Sequence, residues 1–222
     1  MEKSSKWKEL EEGFSSVSTR YDEIYYEKGL KQRLMDRRLN EILGEVNPKK
    51  GEKILEIGPG SGAYTLALLE KGAEVSAIDI SEDMIEVCKK KVEDRVFKAE
   101  FHQGNILNIP IQDETMDKAI AIGIMTHLPE KKMFVDAVNE MLRTIRWGGA
   151  IWFDLPRYHP IKIIYTKVYL KLKPFSEESK RLQSHLFTNK DIQSLTQGDR
   201  NISVKKIGYG IYYLVKIVKI AD

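Results

Sequence analysis

From residue 51 onward the chain alternates between short apolar runs of strand length and longer stretches whose apolar residues recur at helical spacing. The runs predict strands at 53–57, 74–79, 99–102, 118–122 and 150–155, and the stretches between them predict helices over 64–71, 82–92 and 130–143. Alternation of this kind marks an α/β fold, because parallel neighbouring strands need a crossover and a helix supplies it. Ser81 is placed to cap the helix at 82–92, with Glu82 and Asp83 complementing the dipole of its first turn. Trp147-Gly148-Gly149 reads as the turn into the fifth strand.

The two ends depart from this alternation. Residues 1–18 are polar without a sustained period and read as a mobile lead-in, in which only Trp7 and Phe14 are candidates to dock. Tyr21, Ile24, Tyr25, Leu30, Leu34, Leu39, Ile42, Leu43 and Val46 then follow helical spacings, predicting one or two helices with a break near Gly29 and a stop at Asn47-Pro48. Residues 156–187 are long for a connection. They open with Pro156 and Pro160 and carry Arg157, Lys162, Lys167, Lys171 and Lys173 before the first acid, Glu177, which predicts a cap-like insertion. The spacing of Ile161, Ile164, Tyr165, Val168, Tyr169 and Leu172 describes an amphipathic helix that packs on its own domain or rests on a membrane surface. A short helix over 188–197, capped by Thr188, and strands at 204–209 and 212–219 around Gly210 complete the chain, the last two as an antiparallel hairpin.

With 222 residues, 42% of them hydrophobic, one core is expected, so 1–47, 51–155, 156–187 and 188–222 are read as parts of a single domain spanning 1–222. The longest apolar runs, 119–125 and 211–215, fall far short of the roughly 20 residues a membrane helix needs, and the N-terminus lacks the apolar core of a signal peptide. One cysteine, Cys88, excludes an internal disulfide and a multi-cysteine zinc site. No metal is expected, and the cytoplasm is the expected location. The net charge of +3 conceals a polarity: residues 1–154 hold 23 Lys/Arg against 28 Asp/Glu, and residues 155–222 hold 13 against 5. A basic third suits an anionic small molecule or RNA, and equally a solvated lysine-rich face.

The candidate chemistry lies in residues 54–79, ILEIGPGSGAYTLALLEKGAEVSAID. Gly58, Gly60 and Gly62 fall between a strand and a helix, where missing side chains let the backbone approach a ligand and the helix start offers free N–H groups. Glycine spacing alone does not decide the ligand. Gly58, Gly60 and Ala63 fit the dinucleotide pattern G-x-G-x-x-A, and Asp79 lies 21 residues beyond Gly58, where a ribose-binding acid belongs in that reading too.

The context decides. Glu56 two residues before Gly58, with Pro59 in the first gap, gives E-I-G-P-G-S-G, which resembles motif I of class I S-adenosylmethionine (SAM) dependent methyltransferases. Gly104-Asn105-Ile106 stands where that family usually has Gly-Asp-Ala, the segment 116–129 resembles the fourth strand and its exit in members acting on small molecules, and Arg146-Trp147-Gly148-Gly149 stands in place of Lys-Pro-Gly-Gly. The resemblance spans about residues 50–155 and implies a Rossmann-like three-layer sandwich with a seven-stranded, mostly parallel sheet ending in an antiparallel hairpin. It further implies SAM as cofactor and S-adenosylhomocysteine as product. Glu56 belongs to the cofactor motif, Gly58, Gly60 and Gly62 approach the methionine part, Asp79 takes the ribose hydroxyls, Ile80 and Met84 flank adenine, and Asn105 with Ile106 meets its amino edge. Asn105 replaces the commoner Asp, and its amide oxygen still accepts such a bond.

The sulfonium is already a good leaving group, so such an enzyme chiefly aligns a nucleophile and excludes water. His127, at the carboxyl edge of the sheet, is the candidate catalytic base for a hydroxyl or protonated amine. Tyr21, Tyr25, Tyr26, Tyr158 and His159 are candidates for the acceptor pocket. The acceptor is expected to be a small molecule, with RNA or protein as the alternative and a non-catalytic SAM-binding module as a second. Integral membrane association is not expected. A nicotinamide oxidoreductase is the remaining reading of the glycine loop.

Overall fold

The computed structural model describes residues 5–25, 29–156, 185, 187–196, 200–208 and 210–220, apart from the side chains of residues 24, 25, 31 and 196. Helices α1 (Ser5–Val17), α2 (Tyr21–Tyr25) and α3 (Leu30–Val46) precede the sheet. Strand β1 (Lys53–Ile57), helix α4 (Ala63–Glu70), β2 (Glu74–Asp79), α5 (Glu82–Asp94), β3 (Glu100–Gln103), β4 (Met116–Ala121), α6 (Phe134–Thr144) and β5 (Ile145–Pro156) follow. Then come α7 (Asn189–Gln193), β6 (Arg200–Ile207) and β7 (Tyr212–Lys219).

The seven strands form one sheet in the order β3-β2-β1-β4-β5-β7-β6, parallel from β3 to β5 and antiparallel for β7 and β6. Its central strands are buried on both faces, which is why they read as apolar runs rather than alternations. In β5, Ile151, Phe153 and Leu155 join the cluster around Phe134 and Met141 of α6, while Ala150 and Trp152 join Ile42 and Val46 of α3, Leu68 of α4 and Cys88 of α5 on the other face. The same period-two division sends Leu55 and Ile57 to one side of β1 and Ile54 to the other. The chain order reverses between β1 and β4, so the carboxyl ends of those strands flank the crevice where open α/β sheets take ligands.

Three expectations shift. Within the lead-in expected over residues 1–18, residues 1–4 lie outside the described residues, and Ser5–Val17 is a helix that packs on α5, with Ser15 Oγ 2.8 Å from Ser81 Oγ. Its apolar residues Trp7, Leu10, Phe14 and Val17 make one stripe at steps of 3 and 4, hidden in the sequence by eight polar or charged neighbours. The Trp147-Gly148-Gly149 turn is a bulge inside β5, which pairs Ile145 with Met116 and, after a register shift, Ala150 with Lys118. A Cβ at Gly149 would lie 2.5 Å from Asp117 O, so only glycine lets β5 pass β4 there. Strand β6 covers Arg200–Ile207 rather than 204–209, because the Gly208 N–H turns away to donate to Glu41 of α3 at 2.6 Å. Of the expected insertion, 157–184 and 186 lie outside the described residues.

Candidate active site

A cavity of about 360 Å3 opens at the carboxyl ends of β1, β2, β4 and β5. Along one wall Gly58, Pro59 and Gly60 follow β1, Asp79 and Ile80 end β2, Met84 begins α5, and Gly104, Asn105 and Ile106 follow β3. The opposite wall is built by Ile122 and Gly123 after β4, Asp154 and Pro156 at the end of β5, and Met35, Arg38, Tyr64 and Tyr212. Trp7, Leu10 and Phe14 of α1 and Tyr21 of α2 also line the space.

The glycine loop is shaped by packing as much as by ligand access. Gly58 has φ +69°, its N–H donates to Ile78 O at 2.7 Å, and a Cβ would overlap Ile124 Cδ1 at 2.0 Å. Gly62, at φ +88°, precedes α4, and a Cβ would meet Cys88 Sγ at 2.9 Å. Gly62 therefore serves the fit of loop against α5 and does not line the cavity. The Tyr21 ring lies over Gly60, 3.3 Å from where a Cβ would be.

Two acids sit at the base of this loop. Asp79 is 9% exposed and its Oδ1 accepts the Ser81 N–H at 3.0 Å. Burial pushes its carboxyl up to about 6, against the pull of backbone N–H groups from Ser81, Ile80 and Gly60. Glu56, 2% exposed, lies beneath the loop rather than on the cavity wall and accepts the Thr65 hydroxyl at 2.7 Å. Burial raises it to about 7; the Thr65 hydrogen bond opposes this and the Asp79 charge adds to it. A desolvated acid facing a cavity favours hydroxyl donors or a cation as its neighbour. Next along the same wall, Asn105 Oδ1 accepts the Leu107 N–H at 2.9 Å in a local turn, retaining a second lone pair and the amide donors. Ile106 and Met84, 3% and 1% exposed, give this end a flat apolar lining.

His127 also lines the cavity, and the Phe14 ring meets its imidazole edge-on at 5.5 Å. The turn that carries it is tied to the far end of the insertion: the His185 N–H donates to Thr126 O at 2.7 Å, and His185 Nε2 lies 2.7 Å from Leu128 O. Eight of the ten residues singled out from sequence thus share one cavity, with Glu56 and Gly62 in the layer behind it. Tyr21 does too, whereas the side chains of Tyr25 and Tyr26, and residues Tyr158 and His159, lie outside the described residues.

Sequence reasoning passed over α1 and the Arg38–Asp154 pair. Asp154 interrupts the apolar run Ile151-Trp152-Phe153-Asp154-Leu155, and an acid inside a doubly buried strand was the available signal. It is 2% exposed; its Oδ1 accepts the Gly123 N–H at 2.6 Å and its Oδ2 accepts Arg38 Nη2. Among the described residues no group of His, Cys, Asp and Glu is arranged to hold a metal ion, and no helix is long and apolar enough to cross a membrane.

A family model for a methyltransferase domain matches residues 54–149. Demethylmenaquinone methyltransferase of Staphylococcus epidermidis is 28% identical over 210 residues, which covers 87% of this chain and 84% of that protein. Among solved structures, the PH0226 protein from Pyrococcus horikoshii OT3 matches with a TM-score of 0.71 at 20% identity, covering 90% of this chain and 98% of that one. Magnesium protoporphyrin IX methyltransferase from Synechocystis PCC 6803, solved with bound S-adenosylhomocysteine, matches with a TM-score of 0.74 at 13% identity over 95% and 98%. The matched span holds the glycine loop, the acid ending β2, the turn after β3 and the exit from β4, and the family model, the homologues and the fold together support a class I, Rossmann-like SAM-dependent methyltransferase.

Proposed function

We propose that the cavity binds SAM along the Gly58–Ile106 wall and that the chain transfers its methyl group to a small-molecule acceptor seated against the opposite wall. The observation that carries this reading is Asp79: a buried carboxyl at the end of β2, facing a cavity and with no cation in contact among the described residues, suits the two hydroxyls of a ribose. Ile80, Met84 and Ile106 supply apolar surface for a flat purine, and Asn105 supplies a polar edge beside it. Gly58 and Gly60 bring backbone close to the aminoacyl part, with Glu56 beneath fixing the loop through Thr65 and Gly62 fitting it onto α5. When bound, SAM supplies an activated methyl carbon on sulfur, whose bond breaks toward sulfur as the acceptor bond forms.

The chain's own tasks are to exclude water and hold the acceptor in line. Trp7, Leu10 and Phe14 support an enclosed site, which favours a small acceptor over a polymer. The homologue named for demethylmenaquinone supports the same class. His127, steadied by Phe14, is assigned to receive a proton where the acceptor nucleophile is a hydroxyl. Incubation with methyl-labelled SAM and fractionated cell extract tests the reading. Label in the small-molecule fraction, resistant to nuclease and protease, is the expected result; label that follows RNA or protein, or no transfer at all, would overturn it.

A further inference from the structure

Arg38 presents a buried cation with most of its donors unused. Its side chain is 12% exposed, it lines the cavity, and among the described residues its hydrogen bonding is confined to Nη2 on Asp154. Nε is fully buried without a partner among those residues. A guanidinium carries five N–H donors, and a buried donor left unpaired destabilises the fold. The group nonetheless stays charged: burial works against the cation, but Asp154, Tyr64 and Tyr212 outweigh it and hold its proton above the ordinary arginine range. It is also fixed in place, since its carbon lies 4.2 Å from the Tyr212 ring centroid and Asp154 is itself held by the Gly123 N–H. With both Asp154 oxygens engaged, that carboxylate clamps the guanidinium and leaves its other donors for something else.

We propose that Arg38 binds an oxyanion of the acceptor, and that Arg38, Tyr64, Tyr212, Met35 and Pro156 form a subsite for a planar molecule carrying an ionised oxygen, such as a phenolate, enolate or arylcarboxylate. This rests on the methyltransferase reading, which puts the cofactor on the Asp79 wall and the acceptor on this one. The aromatic rings and the Met35 and Pro156 surfaces are suited to a flat ring, and the guanidinium fork to oxygen acceptors in the ring plane. A neutral oxygen can accept a single N–H, but it gains no charge-assisted bond from the cation. An oxyanion accepts from the donors that face the cavity, and the neighbouring cation stabilises its ionised form.

The probe is 4-nitrophenol, whose ionised form is yellow, titrated with the full chain saturated with S-adenosylhomocysteine. The expected result is saturable binding of the phenolate with its apparent pKa lowered. Arg38→Met, and the charge-neutral pair Arg38→Met with Asp154→Asn, are expected to weaken that binding on the order of ten- to a hundredfold and abolish the shift. Arg38→Lys keeps charge without the fork and is expected to fall between. All three are expected to bind S-adenosylhomocysteine as the wild type does by calorimetry, which also certifies their folding. Equal phenolate binding and an equal shift in the double variant, or absence of phenolate binding by the wild type, would overturn the proposal and reduce Arg38 to a strut between α3 and β5. Failure of the wild type to bind S-adenosylhomocysteine would instead strike the reading it rests on.

Discussion

Glu56 and Asp79 carry the clearest consequence at the scale of single residues. Unfolded, these carboxyls titrate at their ordinary values of 4.5 and 3.8; folded and unliganded, burial raises them to about 7 and about 6. The native protein therefore holds more protons than the unfolded chain between roughly pH 4 and 7, and stability present at the lower end of that window is lost as pH rises through it. For Glu56 alone the swing is on the order of 3 kcal/mol. Carboxyls held low by partners, such as Glu140 beside Arg143 and Asp191 beside Lys131, act with the opposite sign and below that window. The melting temperature of the unliganded protein is expected to fall from pH 5 to pH 8 by an amount that Glu56→Gln largely removes; equal pH slopes in the two proteins would contradict the assignment. The glycine pattern was legible in sequence, but not the division of labour within it. That Gly62 serves the contact with Cys88, and Glu56 the hydrogen bond from Thr65, depends on residues 26 and 9 positions away that only folding brings together.

At the scale of elements, the parallel core was legible because each central strand is buried on both faces and must be apolar throughout, and each crossover helix carries one apolar face. Element boundaries moved by up to five residues where caps and bulges decide them, as at Gly149 and Gly208. Helix α1 was not legible: four apolar residues in thirteen fall on one face, and they pack on the cavity, on α5 and, at Trp7, on the edge of the core. That placement makes α1 part of the site's wall. Replacing Leu10 and Phe14 together by alanine is expected to cost about 1 kcal/mol per side chain, since both are half-buried, and to speed release of S-adenosylhomocysteine in stopped-flow mixing. An unchanged release rate would show that α1 covers nothing the ligand must pass.

Across the whole molecule, the order β3-β2-β1-β4-β5-β7-β6 brings the ends of four strands to one crevice and divides that crevice into two walls of different character. One wall has Asp79, with no cation in contact among the described residues, and a glycine loop; the other has a buried arginine among aromatic rings. The first comes from one continuous stretch of sequence, which is why it was readable before folding. The second is assembled from Arg38, Asp154 and Tyr212, residues separated by more than a hundred positions in the first case and joined only by the antiparallel pairing of β5 with β7 in the second.

The central claim is that the Gly58–Ile106 wall recognises an adenosine through Asp79 as part of a methyl-transfer site. Calorimetric titration of S-adenosylhomocysteine into the wild type and Asp79→Asn, with NAD as a comparison ligand, tests it most directly. One-to-one binding by the wild type, weakened on the order of ten- to a hundredfold in the near-isosteric variant and absent for NAD, is the predicted outcome. Equal affinity in the two proteins, or a preference for NAD, would contradict it.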